Sequence, residues 1–337
     1  MPKCGSQCWL CDLPIRFDTY KGCSHLCKYC FVQKKTDINK IEKGESYKAL
    51  INFIKGERGN LTRWCDWNIP IHWGGVSDPF QPVERFEKRS LKALQVFAET
   101  KYPVVISTKG ILCIEEPYLS LIKQSNCVMQ ISMICDKYDV LEQGAPTYKQ
   151  RLEMVRILSK NAKRVVIRVQ PYMHEALNDV LENIADWANA GAYGAILEGM
   201  KFYKKQDGLE KLAGDWVYPM NVLKKDFEKI KKELHKNGMK FYSGENRLRN
   251  MGDSLTCCGI DGLDGFIPNT FNLSHILNGD KPIPSKAQMT VGGAACFAAS
   301  FGQTTACNKF LESQSFASAM EYFATNRQDV INKVLKG

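Results

Sequence analysis

Seven short runs rich in Val and Ile, separated by segments with helical spacing, limit what this chain can fold into. The runs are Ile15–Tyr20, Ile69–Gly75, Pro103–Thr108, Cys127–Ile134, Arg164–Pro171, Tyr193–Glu198 and Met239–Ser243. Many read apolar at consecutive positions, as a parallel strand covered on both faces does. Between them, Leu91, Leu94 and Phe97 share one helical face, and so do Leu152, Val155 and Leu158. Leu177, Val180, Leu181, Ile184 and Trp187 form a third stripe; Leu223, Phe227, Ile230 and Leu234 form a fourth, backed by lysines. Gly191 and Gly238 stand where two of these helices should stop. Repeated strand–helix units build a parallel sheet with helices outside it. Six or seven units in about 240 residues predict an α/β fold, a partial (β/α)6-type TIM barrel of parallel strands. The expected division is a Cys-containing N-terminal extension over 1–14, the barrel over 15–250 and a C-terminal extension over 251–337. The last of these ends in an amphipathic segment from Ser315 to Leu335.

Fourteen cysteines then need an explanation. The N-terminus has no apolar signal core, which argues against secretion and for a cytoplasmic protein. No stretch approaches the roughly 20 apolar residues of a membrane span, so no membrane partner is expected. In a reducing compartment, clustered cysteines bind metal more often than they form disulfides. Here six fall in the first thirty positions: Cys4, Cys8, Cys11, Cys23, Cys27 and Cys30.

The segment Gly22-Cys23-Ser-His-Leu-Cys27-Lys-Tyr29-Cys30-Phe31 follows the first predicted strand. Three thiolates at this spacing can wrap one face of a cubane cluster and leave its fourth iron without a protein ligand. A small molecule can bind an iron left open in this way. A zinc knuckle is the alternative use of such a triplet. Other polar and glycine residues fall at the ends of later strands, where barrel active sites lie. They are Gly74 and Gly75, then Ser77 and Asp78, then Ser107-Thr108-Lys109, then Ser132, then Arg168 and Gln170.

The triplet, with an aromatic before its last cysteine, resembles the signature of the radical S-adenosylmethionine (SAM) superfamily. The stretch Ser77-Asp78-Pro79-Phe80-Gln81-Pro82-Val83-Glu84, the Thr108-Lys109-Gly110 turn and Leu141-Glu-Gln-Gly-Ala-Pro146 followed by Arg151-Leu152 resemble its spore photoproduct lyase-like branch. The resemblance runs over roughly residues 15 to 200. It implies a [4Fe-4S] cluster on Cys23, Cys27 and Cys30 whose open iron chelates SAM. Reductive cleavage then gives methionine and a 5′-deoxyadenosyl radical that abstracts hydrogen from substrate. It further implies SAM contacts from Gly74, Gly75, Ser77, Asp78, Lys109, Ser132 and Arg168, and an electron donor such as flavodoxin or ferredoxin. Two positions depart from the lyases. Gly75 stands where the resemblance places a hydrogen-donating cysteine, and Phe31 stands where it places a tyrosine. Cys135 is a weak replacement donor; a buried structural thiol is its blander reading.

Cys4, Cys8 and Cys11 repeat the triplet spacing before the first strand. With Cys257, Cys258, Cys296 or Cys307 they are candidates for a second metal, an iron–sulfur cluster or zinc. The net charge of +10, and the basic run from Lys224 to Lys240 followed by Arg247 and Arg249, suit a nucleic acid or nucleotide substrate, with a solvated helix face the blander reading of the 224–240 run. A peptide or small metabolite is the alternative substrate. A non-catalytic iron–sulfur or zinc protein that binds nucleic acid is the alternative class.

Overall fold

A strand packed between helices on one side and a filled interior on the other must be apolar on both faces, and Val104, Val105 and Ile106 meet that condition with no exposed surface. The computed structural model describes residues 3–4, 12–13, 15–34, 37–55, 69–212 and 215–268. Its strands are β1 (Lys3–Cys4), β2 (Ile15–Phe17), β3 (Tyr20–Lys21), β4 (Glu42–Lys43), β5 (Ile71–Trp73), β6 (Val104–Thr108), β7 (Cys127–Ser132), β8 (Arg164–Tyr172), β9 (Gly194–Gly199), β10 (Lys201–Phe202), β11 (Glu210–Leu212), β12 (Asp215–Val217) and β13 (Lys240–Ser243). Its helices are α1 (Tyr47–Ile54), α2 (Glu84–Glu87), α3 (Arg89–Thr100), α4 (Tyr118–Gln124), α5 (Tyr148–Leu158), α6 (Leu177–Asn189) and α7 (Met220–Lys236).

The main sheet runs β1-β2-β5-β6-β7-β8-β9-β13. From β2 onward all seven strands are parallel and spatial order follows chain order, as in a partial barrel. Each of the seven predicted runs overlaps one of these strands. The four predicted helical stripes are α3, α5, α6 and α7, and Gly191 and Gly238 end the last two with positive φ. Thr147 starts α5 with a capping box, exchanging hydrogen bonds with Gln150. Unforeseen in the sequence are β1, which adds antiparallel to β2, the β3–β4 hairpin and a three-stranded antiparallel sheet β10-β12-β11 after β9. The amphipathic segment from Ser315 to Leu335 lies outside the described residues.

Side chains alternate across the sheet. The outward set packs on the helices. Trp73 on β5 is fully buried with ring centroids 5.6 Å from Phe17, 5.6 Å from Phe97 and 5.9 Å from Phe80. The inward set forms a separate apolar cluster of Val105, Val128, Val166, Ile196 and Tyr242. Leu13 from the N-terminal side and Cys258, Ile260 and Phe266 from beyond β13 complete it. The chain after β13 therefore fills the lower lumen. Gly259, at φ +73°, brings its backbone there; an added Cβ would stand 2.7 Å from a Val166 methyl. Arg164 pins the segment by donating to the carbonyls of Gly259 and Asp261 at 2.8 and 3.0 Å.

Candidate active site

The cysteine loop begins where β3 ends. Gly22 has φ +75°, and a Cβ there would lie 2.4 Å from the Lys40 carbonyl oxygen, so only glycine fits this turn. The Gly22 carbonyl accepts from Ser77 Oγ at 2.5 Å and from Gln81 Nε2 at 3.3 Å. Gln81 is fully buried, and its Oε1 accepts from the Ser24 amide at 3.0 Å. One side chain thus grips the loop on both sides of Cys23. The motif stretch after β5 serves first as the seat of the cysteine loop.

Asp78 is the second anchor. Its Oδ1 accepts from Thr108 Oγ1 at 2.7 Å and from the Phe80 amide at 2.8 Å, and its Oδ2 accepts from the Lys109 amide at 2.6 Å. His25 Nε2, within the cysteine loop, lies 3.1 Å from Oδ2. Burial would raise the Asp78 carboxyl, but His25 and these hydrogen bonds hold it down at about 2. His25 Nδ1 lies 3.0 Å from the Gly144 carbonyl. Gly144 in turn passes so close to the loop that a Cβ would stand 2.0 Å from the Ser24 carbonyl oxygen. The turn at 141–146 therefore presses on the cysteine loop from the opposite side.

Glu142 on that turn accepts from the Tyr29 hydroxyl, lies 2.5 Å from Arg151 Nη2 and is 3.6 Å from Lys109 Nζ. Burial raises the Glu142 carboxyl, and Arg151 works against that. Arg151, 1% exposed, also donates to the Ser132 carbonyl at 2.8 Å and to Asp139 at 2.9 Å. Lys109 sits 5.7 Å from the Tyr29 ring centroid, and its charge works against the rise that burial imposes on the Cys27 thiol.

The three thiols of the loop are free. Burial pushes the Cys23 thiol up to about 12 and the Cys27 thiol up to about 11. Among the described residues, no three His, Cys, Asp or Glu side chains converge on one point as a single metal ion requires. A cubane asks for a different arrangement, since each thiolate bonds a different iron. Three thiols on one loop, with Cys27 in the field of a neighbouring cation, have the chemistry to hold such a cluster.

Below the loop, the inward residues form a polar chamber. Arg168 Nη1 donates to Ser107 Oγ at 2.6 Å, and its Nε donates to Gln170 Oε1. His72 Nε2 lies 2.8 Å from Ser107 Oγ. Burial, then Arg168 and Arg16, hold the His72 imidazole well below its usual range. Gln170 donates to Glu198 at 2.7 Å, and Glu198 pairs with Lys201 at 2.7 Å. Gly74 has φ +88°, and a Cβ there would stand 2.2 Å from the Ser107 carbonyl oxygen. Asp18, at the end of β2, accepts from the Val76 amide at 3.2 Å, and burial raises its carboxyl to about 7.

The structure thus groups Gly74, Gly75, Ser77, Asp78, Lys109, Ser132 and Arg168 around the cysteine loop and the chamber. Cys135 lies elsewhere: it is buried in the apolar layer beneath the helices, and burial raises its thiol to about 11. Cys257 and Cys258 lie beside the floor, where Arg249 and Asp12 act electrostatically on Cys257. The Cys4 backbone forms β1; Cys8, Cys11, Cys296 and Cys307 lie outside the described residues. Arg247 and Arg249 correct an expectation. Arg247 is bound to Glu245 at 3.0 Å and Glu210 at 2.6 Å, and Arg249 is 7% exposed, so neither guanidinium is presented to a phosphate backbone. Lys224, Lys225, Lys229, Lys232 and Lys236 remain exposed along α7.

Roles for Gln81, His25, Glu142, Arg151, Arg16 and Asp18 were not read from the sequence. Gln81, Glu142 and Arg151 lie within the matching stretches. Arg16 carried a signal of its own: a charge between two apolar neighbours on a strand faces the other side of the sheet.

No family model matches the chain. Uncharacterized proteins of Mycobacterium bovis and Mycobacterium tuberculosis are 24% identical to it over 204 residues, covering 56% of this chain and 59% of theirs. The chain thus spans less than two thirds of the length of these curated relatives. Among solved structures, spore photoproduct lyase complexed with dinucleoside spore photoproduct superposes with a TM-score of 0.55 at 15% identity, covering 68% of this chain and 77% of that one. A double mutant of the same lyase with bound AdoMet and dinucleoside spore photoproduct gives 0.54 at 15% identity, covering 68% and 76%. The α/β fold is similar to that of the lyase. Among the described residues, no helix is long and apolar enough to cross a membrane.

Proposed function

We propose that this chain is a radical SAM enzyme whose [4Fe-4S] cluster is held by Cys23, Cys27 and Cys30. The observation that carries the reading is the clamped cysteine loop, gripped by Gln81 and Ser77 on one side and, through its own His25 and Tyr29, by Gly144 and Glu142 on the other. A loop held so firmly presents its thiols in fixed positions. The chemistry such a cluster supplies when bound is one-electron cleavage of SAM to methionine and an adenosyl radical. The chain's own part is to bind, orient and exclude water. Gly74 and Gly75 carry no side chain of their own, which lets the Ser107 carbonyl close on the first and leaves the second with only Arg16 beside it. Ser77 and Asp78 act through the loop as well as at the SAM site. Lys109, Ser132 and Arg168 complete that site, with Lys109 the cation for a carboxylate. An acidic one-electron carrier such as flavodoxin or ferredoxin would supply the electron. Anaerobic reconstitution tests the reading: four irons and four sulfides per chain on this triplet are expected, and zinc alone would refute it.

The substrate we propose is a nucleic acid or nucleotide. The ligand in the solved neighbours is a dinucleoside spore photoproduct, and α7 carries exposed lysines. A second metal on Cys4, Cys8 and Cys11, with Cys257, Cys258, Cys296 or Cys307, is proposed alongside. Its support is that Leu13, two residues after Cys11, packs in the same buried cluster as Cys258.

A further inference from the structure

Position 75 is where the resemblance places a hydrogen-donating thiol, and this chain has glycine there. The space has an occupant. A Cβ built on Gly75 would lie 3.5 Å from both Cδ and Nη1 of Arg16 and 3.7 Å from its Cζ. The guanidinium rests against bare backbone at the mouth of the chamber.

Arg16 stands between Ile15 and Phe17, both buried in the apolar layer, so alternation turns it to the lumen. Its register partner on β5 is His72, which faces the same way. Arg168 Nη1 reaches to 3.3 Å from His72 Nε2, which brings a second cation to the same wall. His72 is held neutral there and adds no charge. Asp18 shares the field of Arg16, but its carboxylate is turned to the Val76 amide. Among the described residues, Arg16 forms no ion pair within 4.0 Å. Two guanidinium groups flanking a neutral imidazole make an oxyanion site.

We propose that Arg16 anchors an anionic group of the substrate, a phosphate or a carboxylate, beside Gly75 in the chamber. This rests on the radical SAM reading, and it makes Arg16 a specificity-determining residue. A guanidinium at this position binds where a thiol would return a hydrogen atom.

The test uses the cluster-loaded full chain with SAM, under anaerobic conditions. Isothermal titration compares thymidine with thymidine 5′-monophosphate and the dinucleotide TpT, and N-acetylglutamine with N-acetylglutamate. Wild type should bind at least one anionic probe tenfold or more tightly than its neutral partner. Arg16→Gln should erase that margin, and Arg16→Lys, which keeps the cation, should retain most of it. A phosphate margin identifies a nucleotide source, and a carboxylate margin a peptide or metabolite source. The proposal is overturned by no margin in wild type, by a margin that survives Arg16→Gln, or by an equal loss of SAM affinity, which would put Arg16 in the SAM site. Arg16→Lys keeps the test decisive if Arg16→Gln does not fold. Absence of SAM cleavage by wild type would sink the enzyme reading instead, because the anion margin is read from binding alone.

Discussion

Val105 and Ser107 sit two residues apart on β6 and face the same way, yet one belongs to the floor of the lumen and the other to the chamber. The same step recurs from Val128 to Gln130 on β7, from Val166 to Arg168 on β8 and from Ile196 to Glu198 on β9. Below the step, side chains are apolar and sealed by the chain after β13. Above it, they are polar and bonded to one another, with glycines in place of side chains at the rim. A strand period of two lets one sheet carry both a core and a site, because only the distance along the strand separates them. The floor should therefore answer to substitution as a core does, and the chamber as a site does.

The largest expected effect is in the floor. Val166→Asp would bury a carboxyl among Tyr242, Ile260 and Gly259, and we expect a loss of about 5 kcal/mol or failure to fold. Urea unfolding reads it, and a loss under about 1 kcal/mol would mean that the floor is open to water.

The chamber should do the reverse. Asp18 has its carboxyl raised from 3.8 to about 7 by burial, so the unfolded chain loses its proton first as pH rises. Stability then falls between about pH 4 and pH 7, by ~4 kcal/mol in all if no neighbour compensates. Asp18→Asn lacks that cost, so its melting temperature should exceed wild type at pH 8 and approach it near pH 4. A gap of the same size at both pH values would show that Asp18 does not titrate in this range.

Gln81→Ala probes the seam between the two regions. It leaves the Gly22 carbonyl with one donor fewer and the Ser24 amide without its acceptor, at a cost of about 1–3 kcal/mol. Iron retention after reconstitution should drop with it, and full iron retention would mean that Ser77 alone holds the loop. Lys109→Ala is the smallest change. Removing the cation should weaken SAM binding about tenfold, or ~1.4 kcal/mol, with fold stability nearly unchanged. An unchanged SAM dissociation constant would remove Lys109 from the site.

Much of this was legible in the chain. The seven strands follow from runs of Val and Ile, and the chamber's glycines and Lys109 from their places at strand ends. The clamp was less legible, because each half needs a partner far away in sequence. Gln81 finds Gly22, and Glu142 finds Tyr29, only once the strands have closed into a barrel. His25 lies inside the cysteine motif, and its part in tethering the loop to Asp78 shows only once Asp78 is in view. The fate of Arg247 was hidden for the same reason. Charge near the end of a strand reads as surface until its carboxylate partners, here Glu210 and Glu245, are in view. The antiparallel sheet β10-β12-β11 left no apolar run to notice, since most of its residues are at the surface.

The central claim is that the loop of Cys23, Cys27 and Cys30 carries the chemistry. Production of 5′-deoxyadenosine from SAM by reduced, reconstituted protein tests it most directly, in wild type beside Cys27→Ala and Cys8→Ala. Wild type and Cys8→Ala should form the product, and Cys27→Ala should form none, because two thiolates cannot hold the cluster with one iron open. Product from Cys27→Ala, with none from Cys8→Ala, would contradict the account and move the active cluster to the N-terminal triplet.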